Sequence, residues 1–121
     1  MKLLIVDDSM MMRKMVERAL AEKKFTLVGS AGNGEEALAI FKETLPDLVT
    51  LDITMPKMDG ITAMTEMLKI KKDAKILMIS SLTDSATASD VLEKGAAGIL
   101  TKPFTTEQVI EKVNEILGFT R

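Results

Sequence analysis

PDLVTLDITMPKMDG, residues 46–60, is the stretch on which the reading of this chain turns. Leu48-Val49-Thr50-Leu51 is a four-residue run with no polar–apolar alternation, and it stops on an acid, Asp52. The run is too short for a buried helix and is bounded by polar and turn residues, so it reads as a strand covered on both faces. Four more runs of this kind lie along the chain, at Leu3–Val6, Phe25–Gly29, Ile76–Ile79 and Gly98–Leu100. Helical spacing fills the stretches between and after them. Met12, Met15, Val16, Ala19 and Leu20 share one stripe; Ala37, Leu38 and Phe41 a second; Ile61, Met64, Met67 and Leu68 a third. Val91 and Leu92 mark a weaker fourth, and Val109, Ile110, Val113, Ile116 and Leu117 form the cleanest. Start and stop signals agree with this division. Asn33 precedes Glu36 by three residues and Thr105 precedes Gln108 by three, as in a capping box, and Gly95 lies where the fourth helix should end. Alternating strands and helices with short loops imply an α/β fold with a parallel sheet, helices on both faces and right-handed crossovers. With no linker, repeat or low-complexity segment, one domain is expected over residues 1–121.

Composition removes several classes of function. The 121 residues suffice for one domain with a real core, and 46% hydrophobic content argues against disorder. With no cysteine, disulfide scaffolds, thiolate zinc sites and thiol catalysis are excluded. With no histidine, the chain lacks the usual general base, the usual transition-metal ligand and any phosphohistidine of its own. A net charge of −2 without a basic stripe gives no nucleic-acid surface. The longest apolar runs are far too short to span a membrane, and Met1-Lys2 runs into a strand without a signal-peptide layout, so a cytoplasmic protein is expected. Most of the ten methionines fall on apolar helix faces and read as flexible core filler; Met10 and Met11 have the alternative of being exposed to a partner.

In an open α/β sheet, ligands bind beyond the carboxyl ends of the strands. There the first strand presents Asp7-Asp8, the third Asp52, the fourth Ser80-Ser81 and the fifth Lys102-Pro103. Each alone has an ordinary explanation: a helix cap, a turn residue, a hydroxyl bonded to backbone, a solvated lysine. Their arrival at four strand ends in one register does not. Three clustered carboxylates repel one another unless a cation joins them, and all-oxygen donors suit a hard dication such as Mg²⁺. The formal charges then close: three negative from the aspartates against two from the metal and one from Lys102. Such a seat accepts a phosphoryl group, because its cations engage the phosphoryl oxygens.

The segments LLIVDDS, PDLVTLDITMPKMDG, ILMIS and TKPF, in this order and spacing, resemble the CheY-like receiver domains of two-component response regulators over essentially the whole chain. The resemblance implies a flavodoxin-like (βα)5 doubly wound fold with a five-stranded parallel sheet in the order 2-1-3-4-5. It implies that Asp52 is the phospho-acceptor. Asp8, Asp52 and the backbone carbonyl of Thr54 would be Mg²⁺ ligands, with Asp7 acting through a metal-bound water. Lys102 would pair with the acceptor carboxylate and then with the phosphoryl group, Ser80 would be the switch hydroxyl beside Ser81, and the bond to Pro103 would be cis. Gly60 matches the glycine that follows the loop after the third strand. Thr54 and Leu82, two positions after Asp52 and Ser80, would tune the attack of water on the acyl phosphate, with Leu82 shielding it. One departure stands out: Ile99 occupies the position that often carries a switching Tyr or Phe, and a branched aliphatic cannot swing in the same way.

The function implied is a response regulator, not an enzyme in the ordinary sense, phosphorylated by a histidine kinase. It would bind an effector, in chemotaxis a flagellar motor component or a phosphatase, through its fourth helix, fifth strand and fifth helix. Nothing follows Arg121, so no output domain is expected, and size and charge suit a monomer. Two rivals are a phosphorelay shuttle without its own effector and a metal-dependent phosphatase with an aspartate nucleophile. The phosphatase would need a DxD arrangement after the first strand, where adjacent aspartates stand instead. A flavin carrier would need a phosphate-binding loop and a stacking Tyr or Trp, and this chain has neither Tyr nor Trp.

Overall fold

The computed structural model describes residues 1–21, 25–81 and 85–118. In chain order the elements are β1 (Lys2–Val6), α1 (Met10–Leu20), β2 (Thr26–Ala31), α2 (Gly34–Thr44), β3 (Leu48–Asp52), α3 (Gly60–Ile70), β4 (Lys75–Ser80), α4 (Ser85–Glu93), β5 (Gly98–Thr101) and α5 (Thr106–Leu117). The strands pair in parallel in the order β2-β1-β3-β4-β5. This is the expected doubly wound α/β architecture, and its parallel sense brings every strand's carboxyl end to one edge.

Side chains leave each strand alternately up and down, and both faces are covered. Leu4, Val6, Val49, Leu51, Ile76 and Met78 pack with Phe41 of α2, Met64 and Met67 of α3 and Val91 of α4. Leu3, Ile5, Leu48, Leu77 and Ile79 pack on the other face with Val16 and Leu20 of α1 and Val109 and Val113 of α5. Two-sided cover is why β1, β3 and β4 read as unbroken apolar runs. Each such side chain, once fully buried, contributes about 1.5–3 kcal/mol.

The two edge strands depart from that reading. β2 starts one residue later than expected and runs to Ala31, the only one of its residues that is buried. Its register jumps from Leu3↔Leu27 to Leu4↔Gly29, so Val28 is an extra residue that an apolar pattern does not reveal. Phe25 lies outside the strand and packs half-buried on the α1/α5 layer. In β5 only Leu100 is buried, and on α4 Val91 is core whereas Leu92 is 50% exposed. Met64, Met67 and Met78 are buried fillers, while Met10 and Met11 are exposed, the alternative open to that pair.

Capping fixes the helix starts. Ser9 caps α1, accepting from Met12 N at 3.3 Å, and Asn33 caps α2, accepting from Glu36 N at 2.9 Å. Asp59 caps α3, accepting from Thr62 N at 2.9 Å. Thr105 and Gln108 form a reciprocal capping box on α5. After α4, Gly95 takes φ +113°, a conformation that favours glycine, and its N–H donates to Leu92 O.

Candidate functional site

The backbone continues its parallel hydrogen bonding one residue past the strands. Asp7 N donates to Ala31 O (3.1 Å), Ile53 N to Ile79 O (3.2 Å) and Lys102 N to Ser80 O (2.8 Å). These bonds fix the main chain beneath Asp7, Asp52 and Lys102, so their side chains leave a rigid edge. Gly60 tightens it from the far side. Its N–H donates to Ile53 O at 2.8 Å, and a Cβ there would lie 2.1 Å from the carbonyl oxygen of Asp52. Only glycine lets α3 start this close to β3.

Asp7, Asp8 and Asp52 come together as the sequence implied, with a carboxylate oxygen from each lying within 4.8 Å of the others. Asp7 and Asp52 are buried and Asp8 is exposed, so the cluster opens to solvent on the Asp8 side. Lys102 reaches in from the β5 side. Its Nζ lies 3.0 Å from Asp7 Oδ2 and 3.5 Å from Asp52 Oδ1, so its nearer partner is Asp7 and Asp52 comes second. One ammonium among three carboxylates leaves the pocket short of positive charge. Burial, then the Asp7 charge, pushes the Asp52 carboxyl up from 3.8 to about 6, against the opposing pull of Lys102. Burial alone would lower Lys102, but its hydrogen bond to Asp7 and the two carboxylate charges outweigh this and raise it. Lys102 is therefore a fixed cation at neutral pH.

Ser80 is buried at the end of β4, and Ser81 beyond it is exposed. The Thr54 side chain is exposed two residues after Asp52. The Lys102-Pro103 peptide is cis, as the resemblance implied. Ile99 is half-buried against the layer that holds Val91. Leu82, the expected shield, lies outside the described residues. Asp7 and Asp8 are not helix caps: Ser9 takes that place, and its N–H donates to Asp7 Oδ1 at 2.9 Å, which helps orient the carboxylate. Sequence reading missed Arg13, whose Nη1 donates to the carbonyl oxygen of Asp7 at 2.5 Å. Only its place one turn inside α1 hinted at a link to the loop before that helix.

Residues 3–114 match the family described as response regulator receiver domain. The chain belongs to that family. Among curated receivers, the chemotaxis protein CheY of Bacillus subtilis (strain 168) is 42% identical over 117 residues, covering 97% of this chain and 98% of that one. CheY of Thermotoga maritima is 39% identical, covering 95% and 96% respectively. In a crystal structure of a CheX–CheY–BeF3–Mg²⁺ complex from Borrelia burgdorferi, the matching chain superposes with a TM-score of 0.92 at 37% identity, over 96% of this chain and 88% of that one.

The receiver's donor set fits a hard dication. Mg²⁺ holds oxygens at about 2.0–2.1 Å, which puts two opposite ligands about 4.2 Å apart. One oxygen each from Asp7, Asp8 and Asp52 lies within 4.8 Å of the others, close enough for the three to face one ion, directly or through water. Among the described residues no helix is long and apolar enough to cross a membrane.

Proposed function

We propose that residues 1–121 form one receiver domain that works as a Mg²⁺-dependent phosphorylation switch in chemotaxis signalling. The carrying observation is the acidic trio with a single lysine among it, a pocket that gains by admitting further positive charge and then a phosphoryl group. A carboxylate oxygen of Asp52 attacks the phosphorus of a phosphohistidine on a histidine kinase. The O–P bond forms as the P–N bond breaks, and the electron pair leaves with the imidazole, which takes up a proton. Asp8, Asp52 and the Thr54 carbonyl would hold Mg²⁺, with Asp7 acting through water, and the ion would offset charge on the transferring oxygens. Lys102 turns from Asp7 and Asp52 toward the phosphoryl oxygens, the Ser80 hydroxyl donates to one of them, and Ser81 flanks it at the exposed rim. Thr54 and Leu82 set the access of water, and Leu82→Glu or Leu82→Asn should change the autodephosphorylation rate; an unchanged rate removes Leu82 from this role.

The protein is in this reading a cytoplasmic monomer, and an enzyme only toward its own phosphorylation and dephosphorylation. The near-complete overlap with chemotaxis CheY proteins supports that pathway. The CheX complex of the Borrelia burgdorferi CheY supports a protein partner. The effector surface is α4-β5-α5, where Leu92 is exposed and Ile99 half-buried. An open groove of about 600 Å³ between α1 and the start of α5, lined by Met10, Met11, Lys14, Met15, Arg18 and Thr106, offers a second partner surface.

Incubation with acetyl phosphate and Mg²⁺ should add one phosphoryl group, mapped to Asp52 by mass spectrometry. Asp52→Asn or EDTA should abolish it, and labelling elsewhere ends this reading. Ile99 favours a second reading, a relay shuttle, because no aromatic side chain reports the switch at that position. Beryllofluoride-dependent partner capture supports the effector-binding switch; transfer onward to a histidine protein without such capture supports the shuttle. Steady turnover of a generic phosphomonoester would mark the protein as a phosphatase.

A further inference from the structure

We infer that Arg13 is a positioning residue for the metal-binding loop, a role that rests on the reading of Asp7, Asp8 and Asp52 as a Mg²⁺ site. The β1–β2 ladder ends at the loop that holds Asp7 and Asp8. Asp7 N donates to Ala31 O, as a parallel ladder requires, and the carbonyl of Asp7 would then accept from the N–H of Asn33. β2 has ended by then, and Asn33 is already the cap of α2. The donor that reaches the Asp7 carbonyl is instead the guanidinium of Arg13, at 2.5 Å. The chain leaves room for it. An added Cβ on Gly32 would have Arg13 Nη1 at 3.3 Å as its nearest neighbour, tighter than an ordinary contact.

That carbonyl belongs to the peptide joining Asp7 to Asp8. Anchoring it fixes the peptide plane, and with it the direction in which the exposed Asp8 carboxylate leaves the backbone. Asp8 needs such help more than its neighbours do. Asp52 is held within β3, and Asp7 is held by Ser9 N and Lys102, whereas Asp8 stands at the open side. Among the described residues no carboxylate forms an ion pair with Arg13, and its Nη1 donates to this backbone carbonyl instead. Groups that orient metal ligands from behind typically change metal affinity 10–100-fold when removed. Acting through one peptide, Arg13 belongs at the lower end, about tenfold.

The test is a Mg²⁺ titration of the full chain, followed by amide NMR shifts, with Mn²⁺ binding by electron paramagnetic resonance as a second measure. Wild-type protein must bind; if it does not, the reading of the acidic trio itself fails and Arg13 is not at issue. Given wild-type binding, Arg13→Met should raise the Mg²⁺ dissociation constant about tenfold. It should also move the metal-free amide signals of Asp8 and Ser9 while leaving those of β3 and β5 in place. Arg13→Lys, which keeps one donor and the charge, should recover part of the loss. An unchanged dissociation constant in Arg13→Met overturns the inference. So does a loss that comes with shifts spread across the whole sheet and a matching fall in melting temperature, since that marks general damage.

Discussion

Removing the charge of Asp52 should make the metal-free protein more stable, although it destroys the site. Asp52 is 4% exposed beside Asp7, and its carboxyl is raised from 3.8 to about 6. An acid whose folded-state pKa is raised binds its proton more tightly when folded. The folded state is therefore penalised as pH rises from 3.8, and the full penalty is present above about 6. At about 1.4 kcal/mol per tenfold in proton affinity, this gap amounts to roughly 3 kcal/mol at pH 7.5. Asp52→Asn keeps the shape and removes the charge, but its amide fits the neighbouring donors less well, so a gain of about 1–3 kcal/mol is expected. An unfolding entropy near 2.1 cal/mol/K per residue translates this into about 4–12 °C for a chain of this length. Calorimetric melts of both proteins in EDTA at pH 7.5 and pH 4 read it directly. The advantage of the variant should shrink at pH 4, where the wild-type carboxyl is largely protonated. It should shrink again at pH 7.5 in saturating Mg²⁺, which stabilises the wild type by mass action. An Asp52→Asn protein that melts at or below the wild type in EDTA at pH 7.5 would refute the electrostatic account.

Three further outcomes are expected. Lys102→Met removes the cation 3.0 Å from Asp7 and 3.5 Å from Asp52, and should slow phosphorylation by acetyl phosphate at least ~10²-fold at saturating Mg²⁺, read by quenched-flow labelling. Thr50 sits 1% exposed in the middle of β3 and its hydroxyl oxygen has no partner among the described residues, so Thr50→Val should raise stability by about 1–2 kcal/mol in urea melts, and a loss would contradict this. The Asp59 carboxyl is held below its ordinary value mainly by the Thr62 N–H, so its contribution is present at neutral pH and fades as pH falls through that lowered value; Asp59→Ala should cost about 1 kcal/mol at pH 7 and less at pH 3.

The central fold was legible because its causes are local. Leu48, Val49 and Leu51 are all fully buried, and only a strand covered on both sides makes consecutive residues apolar in so short a run. The meeting of Asp7, Asp8, Asp52 and Lys102 was legible for a topological reason: parallel strands deliver their last residues to one edge, whatever the side chains then do. What depended on registry or torsion was not. The extra Val28 in β2 shifts pairing without changing the apolar pattern, so the edge strand's limits were misplaced. The preference of Lys102 for Asp7 over Asp52 is decided by half an ångström. Arg13 stayed hidden because its role arises where a ladder stops and a helix happens to face the gap. No pattern marks the buried Asn114 on α5, whose side-chain oxygen has no partner among the described residues, and nothing in the structure explains its choice.

The two halves of the core differ in compliance. Met64, Met67 and Met78, unbranched and polarisable, fill the layer under α2, α3 and α4, while the fully enclosed positions of the α1/α5 layer hold branched aliphatics and an alanine beside Phe104. Thioether chains change shape at small cost, whereas a tightly interlocked aliphatic layer resists. A disturbance at the acidic rim therefore meets a stiff floor on one side and a yielding one on the other. The yielding side carries α4 and touches Ile99, so a shift of α4 would meet soft packing and would need no aromatic lever.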